Sequence, residues 1–346
     1  MLCLLSFMHA FVDGICASTV LGQLTPVFPA ETVLIILLYN LLAFSTQGLT
    51  GLLVDRLGRH REYTLLSSAL VILGLMLPCA SLTAAILKTC LVGLGNSLFH
   101  VAAGAKVILA SPKKALPMGI FVAPGAMGLT LGTLFPSLGG LFAVLLAACA
   151  VALCFLSKMA PLPQNAPAAR SFSSLSAGAV LAGAGLLFCI FSRAFGGSAV
   201  SFPWKTTVTA TLLATTAVVA GKMLGGLLCD RFGPIKLCAI SIPSAALLLL
   251  LCSQWMLPSL LGQLLLNLSM PVTLWLLCQL LPESPGFAFG LAASCLYPGT
   301  LFAQFLPAQP AARTIVFAAV FALNTMLMLF SSFFIAKRSK KQLSAH

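Results

Sequence analysis

Long apolar runs separated by short polar, proline- or glycine-containing breaks dominate the chain. Each run is close to the roughly 20 residues that an α-helix needs to cross a bilayer. They predict twelve spans, near residues 3–24, 31–54, 63–80, 82–106, 115–136, 138–158, 176–199, 204–228, 236–254, 257–281, 286–306 and 312–336. We therefore expect an all-α membrane protein with little mass outside the bilayer.

A polar stretch near the middle, "SKMAPLPQNAPAARSFSSLS", interrupts this pattern. Proline, alanine and serine dominate it and no apolar period runs through it, which is typical of a flexible linker. We predict an N-terminal six-helix bundle over residues 1–158 and a cytoplasmic linker over 159–175. A C-terminal six-helix bundle with a short basic tail then covers 176–346.

Composition supports membrane insertion and excludes most soluble classes. Only 7% of the 346 residues are charged and 60% are hydrophobic, whereas soluble domains carry about 25% charged residues. The net charge of +13 would suit a nucleic-acid partner, but the basic residues lie singly between apolar runs. The 12 cysteines include no CxxC pair and no zinc-type spacing, so we expect no metal site. The expected partners are the lipid bilayer and a small molecule.

The distribution of lysine and arginine predicts the orientation. With both termini in the cytoplasm, only Lys205 and Arg313 lie on the opposite side. Fourteen basic residues then lie in cytoplasmic loops and the tail: Arg56, Arg59, Arg61, Lys106, Lys113, Lys114, Lys158, Arg170, Arg231, Lys236, Lys337, Arg338, Lys340 and Lys341. Such an excess marks the cytoplasmic side. We expect an integral protein of a bacterial inner (plasma) membrane.

Two landmarks recur at nearly one offset. The stretch "GLLVDRLGRHRE" has a copy, "GLLCDRFGPIK", which places Asp55 and Asp230 175 residues apart. "APGAMG" and "YPGTLF" place Pro124 and Pro298 174 residues apart. Two coincidences at one offset indicate a tandem duplication. The predicted fold is therefore twelve transmembrane helices in two pseudo-symmetric six-helix bundles.

The repeated stretch resembles the signature of the major facilitator superfamily (MFS) between spans two and three. Parallel six-span repeats are the architecture of that superfamily. "GLGNSLFHVAAGA", "HAFVDG" and "LPESPGFAFGL" resemble its fosmidomycin-resistance-like branch, whose members often have proline where this chain has Val101. The resemblance implies a secondary transporter that works by alternating access, with a drug-like compound among the candidate solutes, whereas the departure at Val101 leaves the direction of transport open.

The same stretches predict a cytoplasmic gate. Glycines let two helices approach closely, and an aspartate can accept hydrogen bonds from the N-terminus of a neighbouring helix. The predicted gate residues are Gly51, Asp55, Arg56, Gly58, Arg59, Gly226, Asp230, Arg231 and Gly233. The alternative is that the arginines only set topology. The second copy has Pro234 where the first has Arg59.

Asp13 lies near the middle of the first predicted span, where an ionised carboxylate is costly and usually marks an ion or substrate path. His9 lies one helical turn earlier on the same face. We predict that Asp13 and His9 take up and release a proton during transport. The alternative is a structural hydrogen bond between helices.

Five residues are candidates for substrate binding: His100, Asn96, Arg193, Gln279 and Tyr297. Asn96 and His100 form an i, i+4 pair in span four. A polar contact between helices and a substrate ligand explain this pair equally well. Lys88, Arg193 and Lys222 lie five or six residues inside a predicted helix end, where long side chains can snorkel to the surface. If they face the cavity instead, their charge favours an anionic solute.

The sequence contains no phosphate-binding G-x-x-x-x-G-K-[ST] loop, so we expect no ATP-driven step and no cofactor beyond a proton gradient. We predict a monomeric, proton-coupled secondary transporter of a small anionic or drug-like solute, and no enzyme. Three alternatives remain. One is an uncoupled facilitator in which Asp13 binds the solute, and another is an intramembrane enzyme using His9, Asp13 and His100. The third is a membrane sensor without flux.

Overall fold

Helices account for all regular secondary structure in the described part of the chain. The computed structural model describes residues 1–159 and 176–343, and within these ranges no β-strand occurs. Eleven helices there are long and apolar enough to cross a membrane. The prediction of an all-helical protein with many membrane spans is confirmed for these residues. All but the first residue of the predicted linker, 159–175, lies outside them.

The helices follow the predicted runs to within a few residues. Before the linker lie α1 (Leu2–Val27), α2 (Thr32–Leu57), α3 (His60–Met76), α4 (Leu82–Ala110), α5 (Leu116–Leu134) and α6 (Gly139–Met159). After it lie α7 (Ala177–Ala199), α8 (Val208–Phe232), α9 (Pro234–Leu251), α10 (Met256–Leu280), α11 (Pro285–Phe305) and α12 (Pro310–Leu343).

Helix α3 is shorter than the span predicted at 63–80. It has 17 residues, so it is not among the eleven candidate spans. Leu77 has an extended backbone (φ −59°, ψ 137°), because the following Pro78 disfavours the helical conformation of the residue before it. Helix α11 is also interrupted: its first segment ends at Ser294 and the next begins at Leu296.

Two glycines end helices at equivalent positions of the repeat. Gly58 follows α2 with φ +64° and Gly233 follows α8 with φ +82°. They are the only described residues with positive φ, a conformation that glycine adopts without steric cost. Their separation, 175 residues, equals that of Asp55 and Asp230. Both copies of the repeat therefore end the helix at a glycine, although ψ is 8° at Gly58 and 157° at Gly233.

The chain forms two compact units, and each takes a short segment from the opposite half of the sequence. The described part of the first unit consists of residues 1–111, 120–159 and 283–294. The second consists of residues 112–119, 176–282 and 295–343. The start of α5 thus belongs with the second unit, and the first segment of α11 with the first. In the first unit α1 and α4 are largely buried.

Lys88 of α4 neither snorkels to the surface nor lacks partners. It is 1% exposed, and its ammonium group donates to the carbonyls of Leu75 (3.0 Å) and Leu77 (2.6 Å). A third bond goes to Oε1 of Gln23 at 3.1 Å. A cation is favourable at the C-terminus of a helix, where carbonyls lack intrahelical partners. Lys88 therefore caps α3 and ties it to α1.

We expect Lys88→Met to lower the free energy of unfolding by about 2–4 kcal/mol, because it leaves buried acceptors without a donor. Lys113→Met is the matched control, because Lys113 is exposed and its loss should change stability by less than about 0.5 kcal/mol. Thermal unfolding of the two purified variants measures the difference. Equal melting temperatures would contradict the capping role.

Candidate functional site

Four polar side chains from α1 and α4 meet inside the first unit. His9 Nε2 lies 3.3 Å from Asp13 Oδ2, and His100 Nε2 lies 3.7 Å from Asp13 Oδ1. The side-chain amide of Asn96 donates to Asp13 Oδ1 at 3.0 Å. The two i, i+4 pairs that the sequence singled out separately are thus one cluster, centred on the Asp13 carboxylate.

The cluster is mostly enclosed, and Asp13 is its most accessible member. The side chain of Asp13 is 18% exposed, compared with 5% for His9 and 10% for His100. The two imidazole rings meet edge to face at 4.5 Å. Phe99, Phe121 and Phe289 lie against these rings. The aromatic rings cover the two histidines, and the Asp13 carboxylate is the part of the cluster most accessible to solvent.

Glycines of α5 make room for the cluster. A Cβ atom on Gly125 would lie 2.5 Å from Asp13 Oδ2 and 2.6 Å from His9 Nε2, closer than real contacts allow. One and two turns further along, Gly128 and Gly132 bring α5 against the α1 backbone at Ala10 and Gly14. Small residues allow such close helix packing in membranes. The "APGAMG" landmark therefore contributes space rather than a polar group.

Hydrogen-bond geometry fixes which ring nitrogens carry hydrogen. His9 Nδ1 lies 2.9 Å from the carbonyl of Phe121, and His100 Nδ1 lies 2.9 Å from the carbonyl of Asn96. A carbonyl can only accept, so each Nδ1 must be the donor. In a neutral imidazole the other nitrogen is then an acceptor. Both Nε2 atoms therefore direct a lone pair at the carboxylate unless a proton or another cation lies between them.

The same three residues have the donor set of a metal site. The ligand atoms of His9, Asp13 and His100 all lie within 4.8 Å of one another. Metal-binding histidines usually donate their other ring N–H to a backbone carbonyl, as both rings do here. The sequence predicted no metal site, because the ligands are spread over two helices without a recognised spacing. A divalent metal ion is therefore a competing occupant of this cluster.

Two further residues adjoin the cluster without having been predicted. Cys16 lies one turn beyond Asp13 and accepts a hydrogen bond from the Asn96 amide at 3.7 Å, and Tyr39 lies near its thiol. The spacing of Cys16 from Asp13 could have indicated a shared face. Tyr39 lies on α2, and nothing in the sequence pattern relates α2 to Asp13. It is among only three tyrosines in the chain.

Asp55 binds the N-terminus of α11, and we name this contact the first latch. Its two carboxylate oxygens accept hydrogen bonds from the backbone N–H groups of Gly286 and Phe287, both at 2.8 Å. Gly51, one turn earlier, packs directly on the backbone of Gly286. The first N–H groups of a helix lack partners within it and carry partial positive charge. The buried Asp55 carboxylate accepts hydrogen bonds from these N–H groups, and its negative charge is favourable beside their partial positive charge.

Asp230 binds the N-terminus of α5 in the same way, and we name this contact the second latch. It accepts hydrogen bonds from the N–H groups of Ala115 (2.7 Å) and Leu116 (3.1 Å). Gly226 packs on the backbone of these two residues, as Gly51 does in the first latch. Asp230 is exposed, whereas Asp55 is 8% exposed. The repeat thus provides two equivalent contacts that differ in burial.

The arginines of the predicted gate take no part in the latch hydrogen bonds. Arg56 and Arg59 are exposed, and Arg231 lies over the Phe232 ring at 5.3 Å. The second latch is intact although Pro234 replaces the residue equivalent to Arg59; Pro234 begins α9. The carboxylate and the glycine one turn before it are the shared elements of the two contacts.

The remaining predicted residues all lie in the second unit. The side chains of Gln279 and Trp275 both donate to the carbonyl of Pro112, at 2.7 and 3.2 Å. They hold the segment before α5, next to the second latch. Tyr297 is half-buried and Arg193 is buried, and neither side chain has a hydrogen-bond partner among the described residues.

Comparison of the whole fold with solved structures gives a consistent result. The structure of "a Major Facilitator Superfamily (MFS) transporter, FucP, in the outward conformation" matches with a TM-score of 0.71, 13% identity and coverage of 96% of this chain and 97% of that one. A structure of the fucose:proton symporter FucP from E. coli matches with a TM-score of 0.72 and 14% identity, over the same shares. The chain has the MFS fold.

Both of these solved structures are of transporters rather than enzymes. At 13% and 14% identity the match shows the fold alone. No known family sequence model matches the chain, and no characterised protein matches it in sequence. The MFS resemblance drawn from the repeated signature is supported at the level of the fold, and the narrower branch is not.

Substitutions of the α5 glycines should distinguish the effect on the cluster contacts from the effect on the stability of the fold. Gly125→Ala places a methyl group against flexible side-chain ends of Asp13 and His9, so we expect little loss of stability but displaced cluster contacts. Gly128→Ala places it against the backbone of Ala10, which should destabilise the protein by about 1–3 kcal/mol.

Thermal unfolding measures the change in stability, and the side-chain NMR signals of labelled histidines measure the displacement of the cluster contacts. Gly140→Ala is the control, because nothing lies within 4 Å of its Cβ position. Unchanged His9 and His100 signals in Gly125→Ala would show that the glycine is not needed by the cluster.

Proposed function

We propose that the chain is a secondary active transporter that moves a small solute by alternating access. In this proposal two six-helix bundles rock about a central site, and α3 serves as a twelfth span. Its 17 residues rise about 25 Å, close to a hydrocarbon thickness of about 30 Å. An even number of spans and the basic loops favour cytoplasmic termini in a bacterial inner membrane. We propose a monomer as the working unit.

The pair of latches carries this proposal. Each binds a helix N-terminus from the opposite half of the sequence through a carboxylate and a glycine contact. A hydrogen bond to a charged group contributes about 1.5–3 kcal/mol when buried. Such contacts can break and re-form without unfolding a helix, which suits a reversible cytoplasmic gate. Gln279 and Trp275 support the second latch by holding the Pro112 carbonyl.

We propose that the Asp13 cluster couples transport to protons. The orientation of His9 and His100 leaves both Nε2 atoms facing one carboxylate, an arrangement that is favourable when a proton lies between them. Asp13 is accessible enough to exchange that proton with water or with a solute. A proton-loaded cluster is neutral or cationic and an unloaded one is anionic, so loading changes what the site attracts. This difference can link the proton gradient to the solute.

The narrower family predictions remain proposals. The resemblance to the fosmidomycin-resistance-like branch favours efflux of a drug-like compound, and the cluster residues Asn96 and His100 lie in the stretch that carries it. An uncoupled facilitator is the main rival. A sensor without flux is a second rival, which would bind solute but show no exchange across a membrane.

Asp13→Asn tests the coupling. In proteoliposomes with a pH-sensitive dye inside, a gradient of the transported solute should move protons for the wild type. The variant should lose this proton movement by at least about tenfold, because an amide neither gains nor releases a proton in this pH range. Counterflow of the solute without a pH gradient should persist. A wild-type protein with counterflow but no proton movement would instead establish the facilitator.

Metal analysis of the same preparations distinguishes a bound metal ion from a proton in the cluster. With a proton as the occupant, wild-type protein and His100→Gln should both contain far less than one metal ion per chain. A stoichiometric ion that His100→Gln loses would contradict the proton assignment.

Asp55→Asn tests the gate. The asparagine oxygen can accept only one of the two bonds well and carries no charge, so amide hydrogen exchange at residues 281–291 should accelerate by about 10-fold or more. Asp230→Asn should accelerate exchange at residues 112–119 less, since an exposed contact contributes less. Glu62→Gln removes the same charge from an exposed position in the first turn of α3 and should change neither segment. Equal exchange in all three variants would argue against latches.

A further inference from the structure

Arg193 is a buried cation without a partner among the residues that the structure describes. It is 8% exposed and makes no hydrogen bond or ion pair with them. Two other basic residues of the spans have partners: Lys88 donates to three oxygens, and Arg313 donates to the carbonyl of Ala199 at 2.7 Å. Burying an unpaired charge is costly, so buried charges are normally paired.

The second unit has no carboxylate side chain to offer Arg193. The chain has six acidic residues, and only Asp230 falls within residues 112–119, 170–282 or 295–346. Both oxygens of Asp230 are already bound to the N-terminus of α5. The counter-charge for Arg193 must therefore come from outside this unit.

The face of α7 that carries Arg193 packs against α12. Cys189, one turn before Arg193 on α7, donates to the carbonyl of Asn324 on α12 at 3.5 Å. Gly196, one turn after Arg193, packs on Phe321. Arg193 therefore lies on the α7 stripe that faces α12 near Asn324. Asn324 is 1% exposed, and its side-chain oxygen has no hydrogen-bond partner among the described residues.

A snorkelling arginine does not account for these observations. Arg193 lies six residues before the end of α7, about 9 Å at helical rise, and a snorkelled guanidinium would be exposed at the surface. Here the residue stays buried. Its guanidinium supplies N–H donors and positive charge, which is the chemistry of an oxyanion site.

We infer that Arg193 recognises an oxyanion on the transported solute, namely a carboxylate or a phosphoryl group. A guanidinium binds either group through two parallel hydrogen bonds, which an ammonium cannot reproduce. The inference rests on the proposed transport function and specifies its solute class. An organic anion carried together with protons from the Asp13 cluster would also move less net charge across the membrane.

Ligand-induced stabilisation of the purified full chain tests the inference. The probes are succinate and glycerol 3-phosphate, with succinamide and glycerol as neutral counterparts and choline as the cation, all at fixed sodium chloride. At least one anion should raise the melting temperature by about 2–4 °C, and its neutral counterpart should not. The succinate and glycerol 3-phosphate arms separate carboxylate from phosphoryl recognition.

Variants of Arg193 test whether its side chain binds the anion. Arg193→Met should abolish the anion-induced rise and should raise the melting temperature of the ligand-free protein, since it removes an uncompensated buried charge. Arg193→Lys should keep a smaller rise, with affinity weaker by about tenfold. Arg313→Met is the control. Arg313 belongs to α12 and binds the carbonyl of Ala199 at the end of α7, so this variant removes the same charge nearby and should keep the full anion effect.

The inference is overturned if neither anion stabilises the wild type or if Arg193→Met keeps the effect. A lower melting temperature of ligand-free Arg193→Met would also overturn it, because the guanidinium would then have a partner within the protein. Anion binding through Arg193 without any flux would refute the transport proposal alone. Flux restricted to neutral solutes would refute the anion inference alone.

Discussion

The absence of water from the bilayer interior is the constraint on which the structure depends. A polar group there needs a partner within the protein or a bound ligand. Lys88 has three carbonyl or amide oxygens, and Asp13 has two histidines and an asparagine. Arg193 is the informative exception, because its side chain has no hydrogen-bond partner among the described residues.

The duplication provides two equivalent latches, one in each unit, and the two units differ in their other polar side chains. Gly51 and Asp55 recur as Gly226 and Asp230, and both pairs bind a helix N-terminus. The acid–base cluster does not recur: at the same offset, His9 and Asp13 correspond to Ala184 and Phe188. Arg193 likewise corresponds to Ser18. The His9–Asp13 pair and Arg193 therefore each occur in one half only.

The sequence predicted the helices, the repeat and both i, i+4 pairs because these depend on local periodicity. It did not predict that Asn96 and His100 meet Asp13, since that contact depends on how α1, α4 and α5 pack. Gly125 is essential to this packing, yet glycine is common in membrane spans and its position does not reveal which side chains it faces. The short α3 was predictable, because Pro78 restricts Leu77. The partners of Lys88 and Gln279 are carbonyls, which no residue pattern distinguishes.

The central claim is that the cluster holds a transferable proton between Asp13 and the two histidines. Nitrogen-15 NMR of the histidine rings tests it most directly, because the chain has only 4 histidines and His9→Gln and His100→Gln assign the two signals. A shared proton predicts that both rings keep hydrogen on Nδ1 while at least one Nε2 gains a proton as the pH falls. It also predicts that Asp13→Asn alters this response. A ring with a bare Nδ1, or Nε2 signals that do not change with pH, would contradict the claim.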